Sequence, residues 1–83
     1  MRYGSLFNKK EYEKEIMLVK ERLIAAREKK GYSQAEVARR LGFSNNSMYC
    51  RIENGKKNAS LSVATDIAEI LDVSLDWLIG KGE

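Results

Sequence analysis

The chain has 83 residues, 43% hydrophobic and 33% charged, which fits one small soluble domain with a modest core and leaves no room for a second. Its longest apolar run, Ile16-Met17-Leu18-Val19, is far short of the ~20 residues of a membrane-spanning helix, and the opening residues carry no secretory h-region, so the expected location is the cytoplasm. One cysteine excludes an internal disulfide framework, and the lack of histidine removes a common zinc ligand and the most versatile general base, so neither an enzyme nor a metal or other cofactor is expected.

The net charge of +3 conceals a polarity: residues 1–32 carry +4, residues 33–58 carry +3 and residues 59–83 carry −4. Such separation is the footprint of a polyanionic partner, and equally that of a solvated basic face without one. Zero prolines, six glycines and a 3.6-residue apolar period predict an all-α chain. The expectation is five helices.

The first helix is expected to start after Asn8, where Asn8 and Glu11 have capping-box spacing and Phe7 can act as a staple, and to run to Lys30. Tyr12, Ile16, Val19, Leu23 and Ala26 would share one face, and Gly31 would end the helix beyond Lys29 and Lys30. The Tyr12 and Ile16 end of this stripe needs a cover, either its own domain through Tyr3, Leu6 and Phe7 or, as favoured here, a second subunit, with the last helix and Trp77 as the competing dimer surface. Ser33 to Glu36 form another capping box, opening a helix through Leu41 with Val37, Ala38 and Leu41 inward, stopped by Gly42. A third helix is expected over about Asn45–Asn54, capped by Ser44 or Asn45, with Met48, Tyr49 and Ile52 inward and Gly55 beyond its end. Ser60 caps a fourth helix with Leu61, Ala64, Ile67, Ala68 and Leu71 on one stripe, and Ser74 caps a short fifth ended by Gly80.

Two short helices joined by a tight glycine turn, small Ala38 in the first and polar residues outside the second, have the layout of a helix-turn-helix. Arg27, Gly31, Ser33-Gln34, Val37-Ala38, Leu41-Gly42, Ile52-Glu53-Asn54-Gly55-Lys56, Ile67-Ala68, Leu71 and Val73-Ser74-Leu75-Asp76-Trp77-Leu78 resemble the phage repressor and Cro-type helix-turn-helix family. The resemblance covers roughly residues 18–80. It departs from the family by one extra residue between Gly42 and Ile52-Glu53, by Ala59 where a proline is common, which is expected to loosen the loop, and by residues 1–17, which the resemblance leaves as an N-terminal helical extension to a helix-turn-helix domain over residues 18–80.

The resemblance implies a sequence-specific DNA-binding transcriptional regulator, a repressor that binds a near-palindromic double-stranded operator as a homodimer through its third helix. The alternatives are an antitoxin, a restriction-modification controller or the N-terminal part of a larger repressor, with a toxin or sensor domain as protein partner. A protein-interaction module without DNA binding is a further one. Ser33 and Gln34 open the second helix, where the family's glutamine meets a phosphate. Asn45, Asn46 and Ser47 start the reading helix and suit base edges, Asn46 and Ser47 more so if Asn45 is the cap. The outer face continues through Cys50, Arg51 and Asn54; Arg51 suits either a guanine or a phosphate, and Cys50 is either groove-facing or a small filler. Lys56 and Lys57 follow where family loops run along the sugar-phosphate chain. Arg27 and Glu53 match the family's ion pair between helices one and three, a structural role.

Overall fold

Serine hydroxyls open three of the helices and left-handed residues close four of them. The computed structural model describes residues 14–80. The elements run β1 (Glu15–Ile16), α1 (Lys20–Lys30), α2 (Gln34–Leu41), α3 (Ser47–Glu53), β2 (Ala59–Ser60), α4 (Leu61–Leu71) and α5 (Leu75–Ile79). Ser33 Oγ accepts from the Glu36 N–H at 3.1 Å, Ser60 Oγ from Val63 at 3.2 Å and Ser74 Oγ from Trp77 at 3.1 Å. Each bond satisfies a donor that the first helical turn leaves without a partner. Gly42 closes α2 at φ +86, a conformation disfavoured for any residue with a Cβ, and so lets the Phe43 N–H return to the Ala38 carbonyl at 3.0 Å. Asp72 takes the same role after α4 at φ +60 without being glycine.

The expected five helices are present, but the first is shorter than its apolar spacing predicts. The proposed start at Asn8, with Phe7 and Tyr12, lies outside the described residues. Within them, residues 14–19 are not helical: Glu15 and Ile16 pair antiparallel with Ser60 and Ala59, and the Leu61 N–H donates to the Lys14 carbonyl at 2.9 Å. The helical extension and its stripe through Ile16 and Val19 therefore do not hold there. The cause is local. A helix would need the Val19 N–H for the Glu15 carbonyl, yet it donates to Leu78 at 2.8 Å and Val19 is extended at φ −76, ψ 116. Ile16, Met17 and Leu18 alternate half-buried, exposed and buried, the two-residue period of a strand.

One core joins every helix: Leu23 and Ala26 of α1, Val37 and Ala38 of α2, Tyr49 and Ile52 of α3, the Ala64, Ile67, Ala68 and Leu71 stripe of α4, and Leu78 of α5. Leu18 and Ala59 close it from the ribbon side. Ala59, expected to loosen its loop, is instead buried and paired to Ile16. Helix α3 is shorter than Asn45–Asn54, starting only at Ser47 and ending at Glu53. Asn45 Oδ1 accepts from the Ser47 N–H at 2.9 Å and from Ser47 Oγ at 2.6 Å, while Asn46 occupies the cap position without a side-chain bond. Starting there puts Tyr49, Ile52 and Glu53 on the buried face and leaves Met48, expected inward, 42% exposed.

Candidate nucleic-acid interface

Helix α3 buries the side chains of Tyr49 and Ile52, and its last residue adds a polar anchor. Glu53 is 2% exposed and accepts four hydrogen bonds. Arg27 grips it with both edges of its fork, Nε to Oε1 at 2.8 Å and Nη2 to Oε2 at 3.1 Å. The Tyr49 hydroxyl donates to Oε1 at 2.8 Å and Gln34 Nε2 to Oε2 at 2.9 Å. Arg27 Nη1 continues to the Tyr32 carbonyl at 2.9 Å. The expected Arg27–Glu53 pair is thus the centre of a node that fixes α3 to α1 and to the start of α2. Burial by itself would raise the Glu53 pKa, but the bonds from Arg27, Tyr49 and Gln34 outweigh it and hold the carboxyl below its ordinary range. Burial, then the bond to Glu53, pushes the Tyr49 hydroxyl well above the usual phenol value. Its bond to Glu53 raises Arg27 further.

With that face anchored, the opposite one is left to solvent. Asn46, Arg51, Asn54 and Lys56 are exposed, Lys57 is half-buried, and none of the five forms a side-chain hydrogen bond or ion pair among the described residues. Asn45 and Ser47 are also exposed but partly engaged with each other. Ser33 is exposed, its hydroxyl serving as the α2 cap.

Two of the sequence-predicted residues stand differently. The Gln34 amide, expected at a phosphate, is engaged at both ends, by Glu53 and by the Cys50 thiol, which donates to Gln34 Oε1 at 3.1 Å. Cys50, expected on the outer stripe, is half-buried with its thiol turned onto α2. Among the amides of the first turn of α2, that of Glu36 is taken by the Ser33 hydroxyl. Sequence reasoning missed the Tyr49 donor, although Tyr49 and Glu53 have the i, i+4 spacing of helical neighbours. It also missed Glu36, which pairs with Arg39 at 2.6 Å and Arg40 at 2.6 Å along the exposed side of α2; the Glu36-x-x-Arg39-Arg40 spacing is the available signal.

No group of three or more His, Cys, Asp or Glu residues among those described could hold a metal ion. No described helix is long and apolar enough to cross a membrane.

A buried ionic node behind a short, solvent-facing polar helix, joined by a glycine turn to a second helix, defines a helix-turn-helix domain. The sequence model of the helix-turn-helix family matches residues 23–78, and the chain belongs to that family, in its phage repressor and Cro-type branch, whose members are not enzymes. The HTH-type transcriptional regulator ImmR of Bacillus subtilis (strain 168) is 33% identical to it over 67 residues, covering 81% of this chain and 52% of ImmR. Among solved structures, a chain of the SinR protein/SinI protein complex superposes with a TM-score of 0.68 at 29% identity, covering 77% of this chain and 62% of that one. The chain therefore spans about half the length of the curated relative it matches.

Proposed function

We propose that the protein is a sequence-specific DNA-binding transcriptional regulator, a repressor that acts by occupying its operator. The observation that carries this reading is the asymmetry of α3. One face is locked by the Glu53 node, while the other presents Asn46, Ser47, Arg51 and Asn54 to solvent beside the Lys56-Lys57 loop. Asparagine and arginine are the side chains whose paired donors and acceptors match adenine and guanine edges in the major groove, and lysines after the helix suit the phosphates on either side. The four-bond anchor supports readout because a base contact requires a helix that cannot rotate in its seat. Gln34 supports α3 from within the protein, and the amides at the start of α2 supply a phosphate contact in place of its side chain.

The operator would be near-palindromic and bound by a dimer, with half-site centres about one helical turn, ~34 Å, apart. Relatives named as a transcriptional regulator and as one member of a two-protein complex support both a regulatory role and a protein partner for this domain. Selection of binding sites from a random duplex pool tests the reading: a two-fold symmetric motif is expected, and enrichment of no sequence would sink it. Asn46→Ala or Ser47→Ala should then change preference at particular positions, whereas Lys56→Ala or Lys57→Ala should weaken all duplexes alike and flatten the salt dependence.

A further inference from the structure

The two arginines of α2 are adjacent in sequence and share one carboxylate, but the structure gives them different surroundings. Arg40 bonds through Nε to Glu36 Oε2 at 2.6 Å and lies over the Tyr32 ring at 4.4 Å from its centroid. Its planar group is therefore fixed on two sides, against the segment that joins α1 to α2. Arg39 borders a hollow of about 320 Å³ that it shares with Ala35 of its own helix and with Ser44, Asn45 and Asn46 of the turn that leads into α3. It is 72% exposed and reaches Glu36 through one nitrogen, Nη2, at 2.6 and 2.7 Å. Its Nε and Nη1 donors form no hydrogen bond among the described residues.

We propose that Arg39 is a further phosphate-binding residue of the DNA interface and that Glu36 sets the strength of that contact by competing for it. The inference rests on the DNA-binding reading above. A guanidinium fork matches two phosphate oxygens as well as it matches a carboxylate, and an exposed ion pair in water is weak enough to be exchanged for one. The position fits that use: Arg39 lines the same hollow as Asn46, which is proposed above to meet a base. Arg40, stacked on Tyr32, stays with the protein. Glu36 thus prevents Arg39 from adding its full strength to every duplex alike. Base contacts then carry a larger share of the discrimination, since phosphate contacts hold the protein without reading sequence.

The test is equilibrium binding of the full chain to a fluorescent random-sequence duplex over a range of salt concentrations. Arg39→Ala should weaken binding several-fold and reduce the slope of log K against log salt by about 0.9, one phosphate contact, while Arg40→Ala leaves the slope as it was. Glu36→Gln, which keeps the shape and removes the charge, should tighten binding several-fold, and this gain should vanish in an Arg39→Ala background but persist with Arg40→Ala. Glu69→Gln, an equal change of net charge on α4, should do much less. A Glu36→Gln gain that is equally large with Arg39→Ala, or matched by Glu69→Gln, would reduce the effect to net charge and overturn the proposal. A wild-type protein with steep salt dependence that Arg39→Ala does not change would overturn it while leaving the DNA-binding reading intact. Absence of any salt-dependent binding by wild type, with no effect of Lys56→Ala, would overturn both.

Discussion

Helices α3 and α4 lie in the same small body and are held there by different physics. Eleven-residue α4 turns Ala64, Ile67, Ala68 and Leu71 into the core, so its hold comes from non-directional apolar burial. Seven-residue α3 offers Tyr49 and Ile52 and completes its hold with Glu53, whose four bonds are directional. Burial fixes how near a helix lies. Hydrogen bonds to a charged group also fix how it is turned about its own axis, and the helix proposed to read DNA is the one so fixed.

The widest separation between the two should come from deleting their anchors. Glu53→Ala removes the carboxylate and leaves the buried ends of Arg27, Tyr49 and Gln34 without a partner; a loss of about 4 kcal/mol is expected in urea unfolding, near the whole stability of a domain this size. Ile67→Ala should cost about 3 kcal/mol through lost burial and a cavity, with no change in the shape of the pH profile. If both substitutions shifted the urea midpoint equally at every pH, the contrast between the helices would be broken.

The pH profile sharpens it further. Glu53 has a lowered pKa in the fold, so its contribution is fully present above the unfolded value of about 4.3 and disappears as pH falls through the folded value. Tyr49 has a raised one, so its contribution is fully present below the unfolded value of about 10 and diminishes as pH rises beyond it. Melting temperature against pH should show an acid limb that Glu53→Gln flattens and an alkaline limb that Tyr49→Phe removes. At neutral pH, Tyr49→Phe should cost about 1–2 kcal/mol for a lost bond to a charged acceptor. The smallest effect belongs to α4: Asp72→Gly should raise stability by about 0.5–1 kcal/mol, because glycine takes the left-handed C-cap without strain and a carboxylate is removed from the negative end of a helix dipole. An unchanged or lower melting temperature would show that Asp72 makes a compensating contact.

Local chemistry was the legible part of this sequence. The serine caps before α2, α4 and α5 and the glycines after α1, α2 and α5 are short-range choices that the chain makes wherever these residues fall, and their positions were read correctly. The Arg27–Glu53 pair was legible through family resemblance. The exposure of Met48 was not, because it depends on where α3 starts, and Asn45 helps set that start by accepting from the Ser47 N–H. The β1 strand was hidden for a similar reason. Ile16, Val19 and Leu23 satisfy a helical period on paper, and only the carbonyl of Leu78, far along the chain, decides that the Val19 amide will not join a helix. The direction of the Gln34 and Cys50 side chains likewise depends on a neighbour supplied by the tertiary fold.

That Val19–Leu78 bond has an architectural meaning of its own. It ties the entry of α1 to the last turn of α5, and Arg22 reinforces the closure through the Trp77 carbonyl at 2.8 Å and its position 5.2 Å from the centre of the Trp77 ring. Topologically the five helices form a ring with a narrow gap, which a few linker residues from Gly80 back to Leu18 could bridge. New termini could then be opened in another surface turn with the helical core kept, at the loss of the Ile16–Ala59 pairing, as in circular permutation. Because Val19 and Leu78 already bond, such a join would span a short distance and order few additional residues.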